Sequence, residues 1–153
     1  MKIQKALKRL YQIEIVTPKG YHYIVEASKC DPKVLEDVNA LKQILLEAAR
    51  RGKMTVRITH FYKFTPRGVS GMVVVSGSHI SIHTWPEYGY AAIDVYICGE
   101  TSEPEKAIEY ILEKIKAQYA HITELERGIE DEEGNYTHII LSWDEEPLET
   151  NTD

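Results

Sequence analysis

Apolar residues fall at two spacings along the chain, and the spacings divide it into elements. Ile3, Ala6, Leu7, Leu10 and Tyr11 recur at helical intervals and predict a short amphipathic helix near the N-terminus. Pro18-Lys19-Gly20 marks a turn, and Tyr21 to Ala27 reads as a strand. Asp31-Pro32 supplies an N-cap followed by proline at the first helical position, and Val34, Leu35, Val38, Leu41, Ile44, Leu45 and Ala48 then keep the 3.6-residue period until Gly52. From Met54 to Thr59 the period drops to two, predicting a half-buried strand that Pro66-Arg67-Gly68 ends. Val69–Val75, His79–Thr84 and Tyr90–Cys98 predict three more strands, separated by Gly77 and by Pro86-Glu87-Tyr88-Gly89. Ala107, Ile108, Ile111, Leu112 and Ile115 predict a second main helix over Pro104–Tyr119, and His121–Glu126 and Tyr136–Trp143 predict two last strands.

The order strand, helix, strands, helix, strands, with short separators, predicts an α+β fold. It is a two-layer sandwich of a mainly antiparallel sheet with two main helices on one face. The other face is too apolar to stay wet, and a second copy of the chain is its expected cover, giving a homodimer that forms a larger sandwich. The 153 residues fit a single domain, with 1–18 as an N-terminal extension and 144–153 as a frayed acidic tail.

Charge adds a second layer to this picture. The net charge of −6 averages a basic front and an acidic back: residues 1–67 carry 14 Lys/Arg against 6 Asp/Glu, and residues 68–153 carry 4 against 18. Such charges either cover solvated faces or draw the two halves together. The overall acidity argues against a nucleic-acid partner, and no apolar run is long enough to span a membrane. No signal peptide is visible, and a cytoplasmic location is expected. Cys30 and Cys98 form no spacing motif, so reduced thiols are expected rather than a disulfide.

The chemistry concentrates in Ser76–Gly99, which reads SGSHISIHTWPEYGYAAIDVYICG. His79 and His83 would share a face of a strand with Ser81, without a third ligand cluster, so no metal site is expected. Ser78 and His83 would suit a hydrolase triad, but the G-x-S-x-G elbow and its strand-to-helix setting are missing. Cys98 closes an apolar strand and reads equally well as a small buried hydrophobe. From composition and spacing these alternatives stay open.

Motif by motif, His60–Gly99 resembles the S-adenosylmethionine decarboxylases of the small bacterial and archaeal type. The resemblance rests on Phe64-Thr65-Pro66-Arg67-Gly68-Val69-Ser70-Gly71, Ser78-His79, the block Ile82-His83-Thr84-Trp85-Pro86-Glu87-Tyr88-Gly89-Tyr90-Ala91-Ala92-Ile93-Asp94, and Cys98-Gly99. It extends over residues 20 to 128, with Cys30-Asp31 and Glu124-Leu125-Glu126-Arg127-Gly128.

The resemblance implies a proenzyme that cuts itself between Gly77 and Ser78 into a β chain (1–77) and an α chain (78–153). Ser78 would become a covalent pyruvoyl group that forms a Schiff base with the substrate amine, with no metal. It further implies that His83 assists the cut, Cys98 donates a proton in turnover, and Ser70 serves as an auxiliary group. Phe64 would stack on adenine and Glu87 would hold the ribose hydroxyls; the substrate's fixed sulfonium cation would favour aromatic faces, Phe64 first and then Trp85 and Tyr88. Each active site of the implied dimer draws on both protomers. The implied reaction is decarboxylation of S-adenosylmethionine to supply aminopropyl groups for spermidine synthesis.

Two positions depart from the pattern. Gly77 stands where such proteins usually carry glutamate, and Arg67 is an unexpected cation beside Phe64. They keep two alternatives in view: a pyruvoyl-dependent decarboxylase of arginine or ornithine, and an uncleaved, inactive regulatory homologue.

Overall fold

The computed structural model describes residues 17–99 and 101–148. The predicted N-terminal helix at 3–11 and most of the extension lie outside these residues. The elements run β1 (Gly20–Ser28), α1 (Pro32–Glu36), α2 (Val38–Arg51), β2 (Val56–Lys63), β3 (Val69–Val75), β4 (Ser78–Trp85), a 3₁₀ turn (Pro86–Tyr88), β5 (Tyr90–Cys98), α3 (Pro104–Lys114), β6 (Tyr119–Glu130) and β7 (Tyr136–Pro147).

All seven strands form one sheet in the order β2-β3-β4-β5-β1-β6-β7, and every neighbouring pair is antiparallel. Period-two alternation puts Val73, Val75, Ile80, Ile82, Ile93, Val95, Val25 and Ala27 on one face. There they form one core with Leu41, Leu45 and Ala48 of α2 and with Ala107, Ile111 and Leu112 of α3. The predicted α+β sandwich therefore holds, with a third, five-residue helix added. The opposite face carries Ser70, Met72, Val74, His79, Ser81, His83, Trp85, Ala92, Asp94, Tyr96, His22 and Ile24, and no helix covers it among the described residues.

The helices depart from expectation at two places. The run predicted as one helix from Asp31 to Gly52 breaks at Asp37. Its backbone is extended (φ −92°, ψ 99°), its amide closes α1 on the Val34 carbonyl, and its carboxylate caps α2 on the Ala40 amide. A good N-cap inside a helical period makes two helices of one. α3 stops at Lys114 instead of Tyr119. Lys116 turns left-handed (φ 56°) and the Ile115 carbonyl accepts from the Asp31 amide, so Ile115 and Ala117 join the core outside a helix. The acidic tail is not frayed from residue 144, since β7 pairs with β6 through Pro147.

The Gly77–Ser78 bond lies at the tip of the β3–β4 hairpin, where Val75 pairs with Ser78. In the sheet order, segments before that bond (β2-β3), after it (β4-β5), before it (β1) and after it (β6-β7) alternate. Among the described residues three ion pairs also cross the division, Lys19–Glu126 at 2.8 Å, Lys53–Glu103 at 3.0 Å and Asp31–Lys116 at 3.3 Å, together with a His22–Asp94 hydrogen bond at 2.9 Å. Two of these pairs set a base of the front half against an acid of the back half.

Candidate active site

The candidate residues fall into two groups at opposite ends of β4. At its start, Ser78 is buried and its Oγ accepts a hydrogen bond from the Cys98 amide at 2.9 Å. Gly77 before it has φ +69°, a backbone that glycine adopts without the strain a Cβ would bring. Cys98 is half-buried, and its Sγ lies 3.3 Å from the Tyr96 hydroxyl. Cys30 is the contrasting thiol: burial pushes it up to about 12, so it stays protonated and packs as a small hydrophobe.

At the far end of β4, Ser70 Oγ and His83 Nδ1 are 2.7 Å apart across the β3–β4 ladder. They border a cleft of about 370 Å³ lined by Phe64, Thr65, Arg67, Val69, Thr84, Trp85 and Glu87. Phe64 and Trp85 present exposed rings to it (47% and 39%), Tyr62 meets Phe64 edge-on at 5.0 Å, and Tyr90 stacks on Trp85 at 5.1 Å. Burial, then a hydrogen bond to Glu26, pushes the Tyr90 phenol up to about 12, so it remains a neutral prop.

Local chemistry fixes this cleft. Thr84 is buried, and its Oγ1 accepts from the Val69 amide at 2.9 Å while donating to the Leu35 carbonyl at 2.7 Å. That one hydroxyl ties β3, β4 and α1 together beneath the cleft. Gly68, at φ +103°, closes the Phe64–Gly68 loop through a 2.8 Å bond from the Phe64 amide, and a Cβ there would stand 2.8 Å from the Thr84 carbonyl oxygen. The Arg67 guanidinium lines the cleft but is engaged, with Nε 3.4 Å from Glu36 Oε1.

The structure brings Ser78 together with Cys98, and Ser70 with His83, Phe64, Trp85 and Glu87. It does not bring Ser78 to His83 within one chain. They are five residues apart on an extended strand, roughly 17 Å, and alternation puts them on opposite faces. His79 and His83 do share the open face, and no group of three or more metal-binding side chains occurs among the described residues.

Sequence reading alone missed three partners. Tyr96 lies two residues before Cys98, a spacing that puts both on one strand face and was the available signal. Glu36 beside Arg67, and Asp94 with its 2.9 Å bond to His22, join elements distant in sequence and left no local signal.

Known proteins carry the same pattern. A family model described as S-adenosylmethionine decarboxylase matches residues 21–128, close to the 20–128 of the motif reading. The S-adenosylmethionine decarboxylase proenzyme of Pyrococcus horikoshii is 61% identical over 126 residues, covering 82% of this chain and 91% of that one. The proenzyme of the same description from Thermotoga petrophila is 47% identical over 115 residues, covering 75% and 88%. The crystal structure of the adenosylmethionine decarboxylase from Aquifex aeolicus superimposes with a TM-score of 0.70 at 34% identity, covering 78% of this chain and 98% of that one. The chain belongs to the S-adenosylmethionine decarboxylase family.

Proposed function

We propose that this chain matures by self-cleavage at Gly77–Ser78 and then decarboxylates S-adenosylmethionine, in the cytoplasm, to supply aminopropyl groups for polyamine synthesis. One observation carries the reading: Ser78, at a hairpin tip behind a left-handed glycine, is buried with its Oγ held by the amide of Cys98.

The first step asks Ser78 Oγ to attack the Gly77 carbonyl carbon, with the Ser78 nitrogen leaving and an ester forming. The Cys98 amide already occupies one lone pair of that oxygen, which leaves its O–H free for a base. His83 is the base in this reading that takes the Ser78 α-proton when elimination opens the ester, and a second copy must bring it, since its own strand holds it roughly 17 Å away. The open face of the sheet, with Met72, Val74, Ile24 and Ala92 among its polar groups, is the surface through which two copies would meet. An antiparallel pairing would set the Ser70–His83 cleft of one copy against the Ser78–Cys98 end of the other.

The residues around Ser78 fit the pyruvoyl group this family implies, because its precursor oxygen already has a backbone donor in the Cys98 amide. When present, that ketone supplies an electron sink for loss of carbon dioxide. Cys98 would hold the group through its amide and return a proton to the substrate carbon through its thiol. Phe64 and Trp85 would take the adenine and the sulfonium by stacking and cation–π attraction, with Glu87 on the ribose hydroxyls. Phe64 and Glu87, both on the cleft, favour this substrate over arginine or ornithine, which have neither an adenine to stack nor ribose hydroxyls to hold.

Intact mass under denaturing conditions tests the reading. Two fragments divided after residue 77, the later one beginning with a pyruvoyl mass and lost in Ser78→Ala, are the expected result. An unbroken chain of 17.6 kDa that persists for days would replace it with the uncleaved homologue.

A further inference from the structure

Tyr96 is placed with more care than a surface tyrosine needs. Its ring lies over Gly20, where an added Cβ would come 2.8 Å from Tyr96 Cε2 and 3.0 Å from its hydroxyl, so only a glycine leaves room for it. The Arg127 guanidinium sits over the ring at 4.8 Å, and the rings of His79 and His22 flank it at 5.7 and 5.9 Å. Four neighbours from β1, β4 and β6 thus fix the ring, and they aim its hydroxyl at Cys98 Sγ, 3.3 Å away. The bond to Cys98, reinforced by burial, holds the Tyr96 phenol above its ordinary value, so it keeps its proton for that sulfur.

We infer that Tyr96 is a positioning residue for proton return by Cys98: its hydroxyl orients the thiol and donates to the thiolate once the proton has left. The inference rests on the decarboxylase reading above, in which Cys98 protonates the substrate carbon. In that step the S–H bond breaks, a C–H bond forms on the carbon that lost carbon dioxide, and the S–H electron pair stays on sulfur. Before it, the thiol donates to Tyr96 Oη. After it, the phenol rotates its hydrogen toward the thiolate until water restores the thiol proton. A hydrogen bond to a charged sulfur stabilises more than one to a neutral thiol, so Tyr96 helps most as charge develops.

The test compares Tyr96→Phe with Cys98→Ala in the full, mature protein. Phenylalanine keeps the ring, its packing on Gly20 and its contact with Arg127, and removes only the oxygen. The expected Tyr96→Phe enzyme cleaves normally and keeps its KM, while kcat falls about tenfold to a hundredfold. A second readout is independent of turnover. The rate of Cys98 alkylation by iodoacetamide at fixed pH, read on the Cys98 peptide, changes about threefold or more in Tyr96→Phe because the sulfur has lost its hydrogen-bond partner. His79, His22 with its partner Asp94, and Arg127 face the same ring and are unchanged by the substitution, so the altered rate reports the phenol. The rate also changes in the Ser78→Ala background, which cannot mature.

A Tyr96→Phe enzyme with wild-type kcat or an unchanged Cys98 alkylation rate, beside an impaired Cys98→Ala, overturns this inference alone. Normal turnover by Cys98→Ala overturns it together with the proton-donor reading beneath it.

Discussion

Ser78 and His83 share one strand but neither a face nor an end: five residues of β4 hold them roughly 17 Å apart, Ser78 toward the helices and His83 toward the open face. A reaction that needs both therefore needs two chains, and subunit mixing tests this. Ser78→Ala and His83→Ala proteins are each expected to be inactive alone. Co-expressed, they form mixed dimers with one intact site in two, and activity recovers to about a quarter of wild type if pairing is random. No recovery in a demonstrated mixed dimer would place both groups in one protomer.

The two groups also explain what the sequence disclosed and what it did not. The period-two runs from Val69 to Cys98 carried strand identity and the inward set Val73, Ile80, Ile82, Ile93 and Val95, because alternation is a local property, whereas the pairing register is not. The motif block named Phe64, Ser70, Ser78, His83, Glu87 and Cys98 but not their division, which follows only once β4 is laid out as an extended strand. Asp37 breaks a helix through a cap that the apolar period does not see. Glu36 reaches Arg67 because Thr84 pins α1 against β3 and β4, a tertiary fact with no local trace.

Arg67 supplies a prediction on specificity. Its guanidinium is held by Glu36 at the edge of the cleft that contains Phe64 and Glu87. Glu36→Gln releases that cation without altering a cleft ring. For a sulfonium substrate the expected effect is a KM raised severalfold with kcat little changed, since an exposed charge pair is worth about 1 kcal/mol or less. Arg67→Ala in the same background should restore KM. A KM unmoved by Glu36→Gln would mean that Arg67 stands clear of the bound substrate.

Interleaving predicts how the cut protein behaves. After cleavage β4 lies between β3 and β5, and β1 lies between β5 and β6, so each fragment is laddered to the other at several seams. The fragments should co-elute on size exclusion in 1 M salt and separate only in denaturant. Screening at that ionic strength weakens the exposed Lys19–Glu126 and Lys53–Glu103 pairs, whereas the β ladders and shared core remain. Separation by salt alone would show that charge, rather than the sheet, holds the halves.

His79 gives the last prediction, on pH. Burial lowers its pKa from 6.5, and the neighbouring His22 adds to the shift, while Asp94 opposes it and Arg127 reinforces it. A lowered histidine binds fewer protons when folded than when unfolded, so its contribution is fully present above 6.5 and is lost as pH falls through its folded value. Asp94 acts in the same sense at lower pH, because the hydrogen bond from His22 holds its carboxyl below the ordinary 3.8. The two effects therefore separate along the pH axis. Thermal melts at fixed protein concentration should fall from pH 7.5 to 5.5 in the wild type. His79→Gln, which keeps a polar side chain of similar reach, should flatten that interval and leave the fall below pH 4 in place. An unchanged slope between 7.5 and 5.5 in His79→Gln would assign the loss to another group and leave His79 without a part in acid stability.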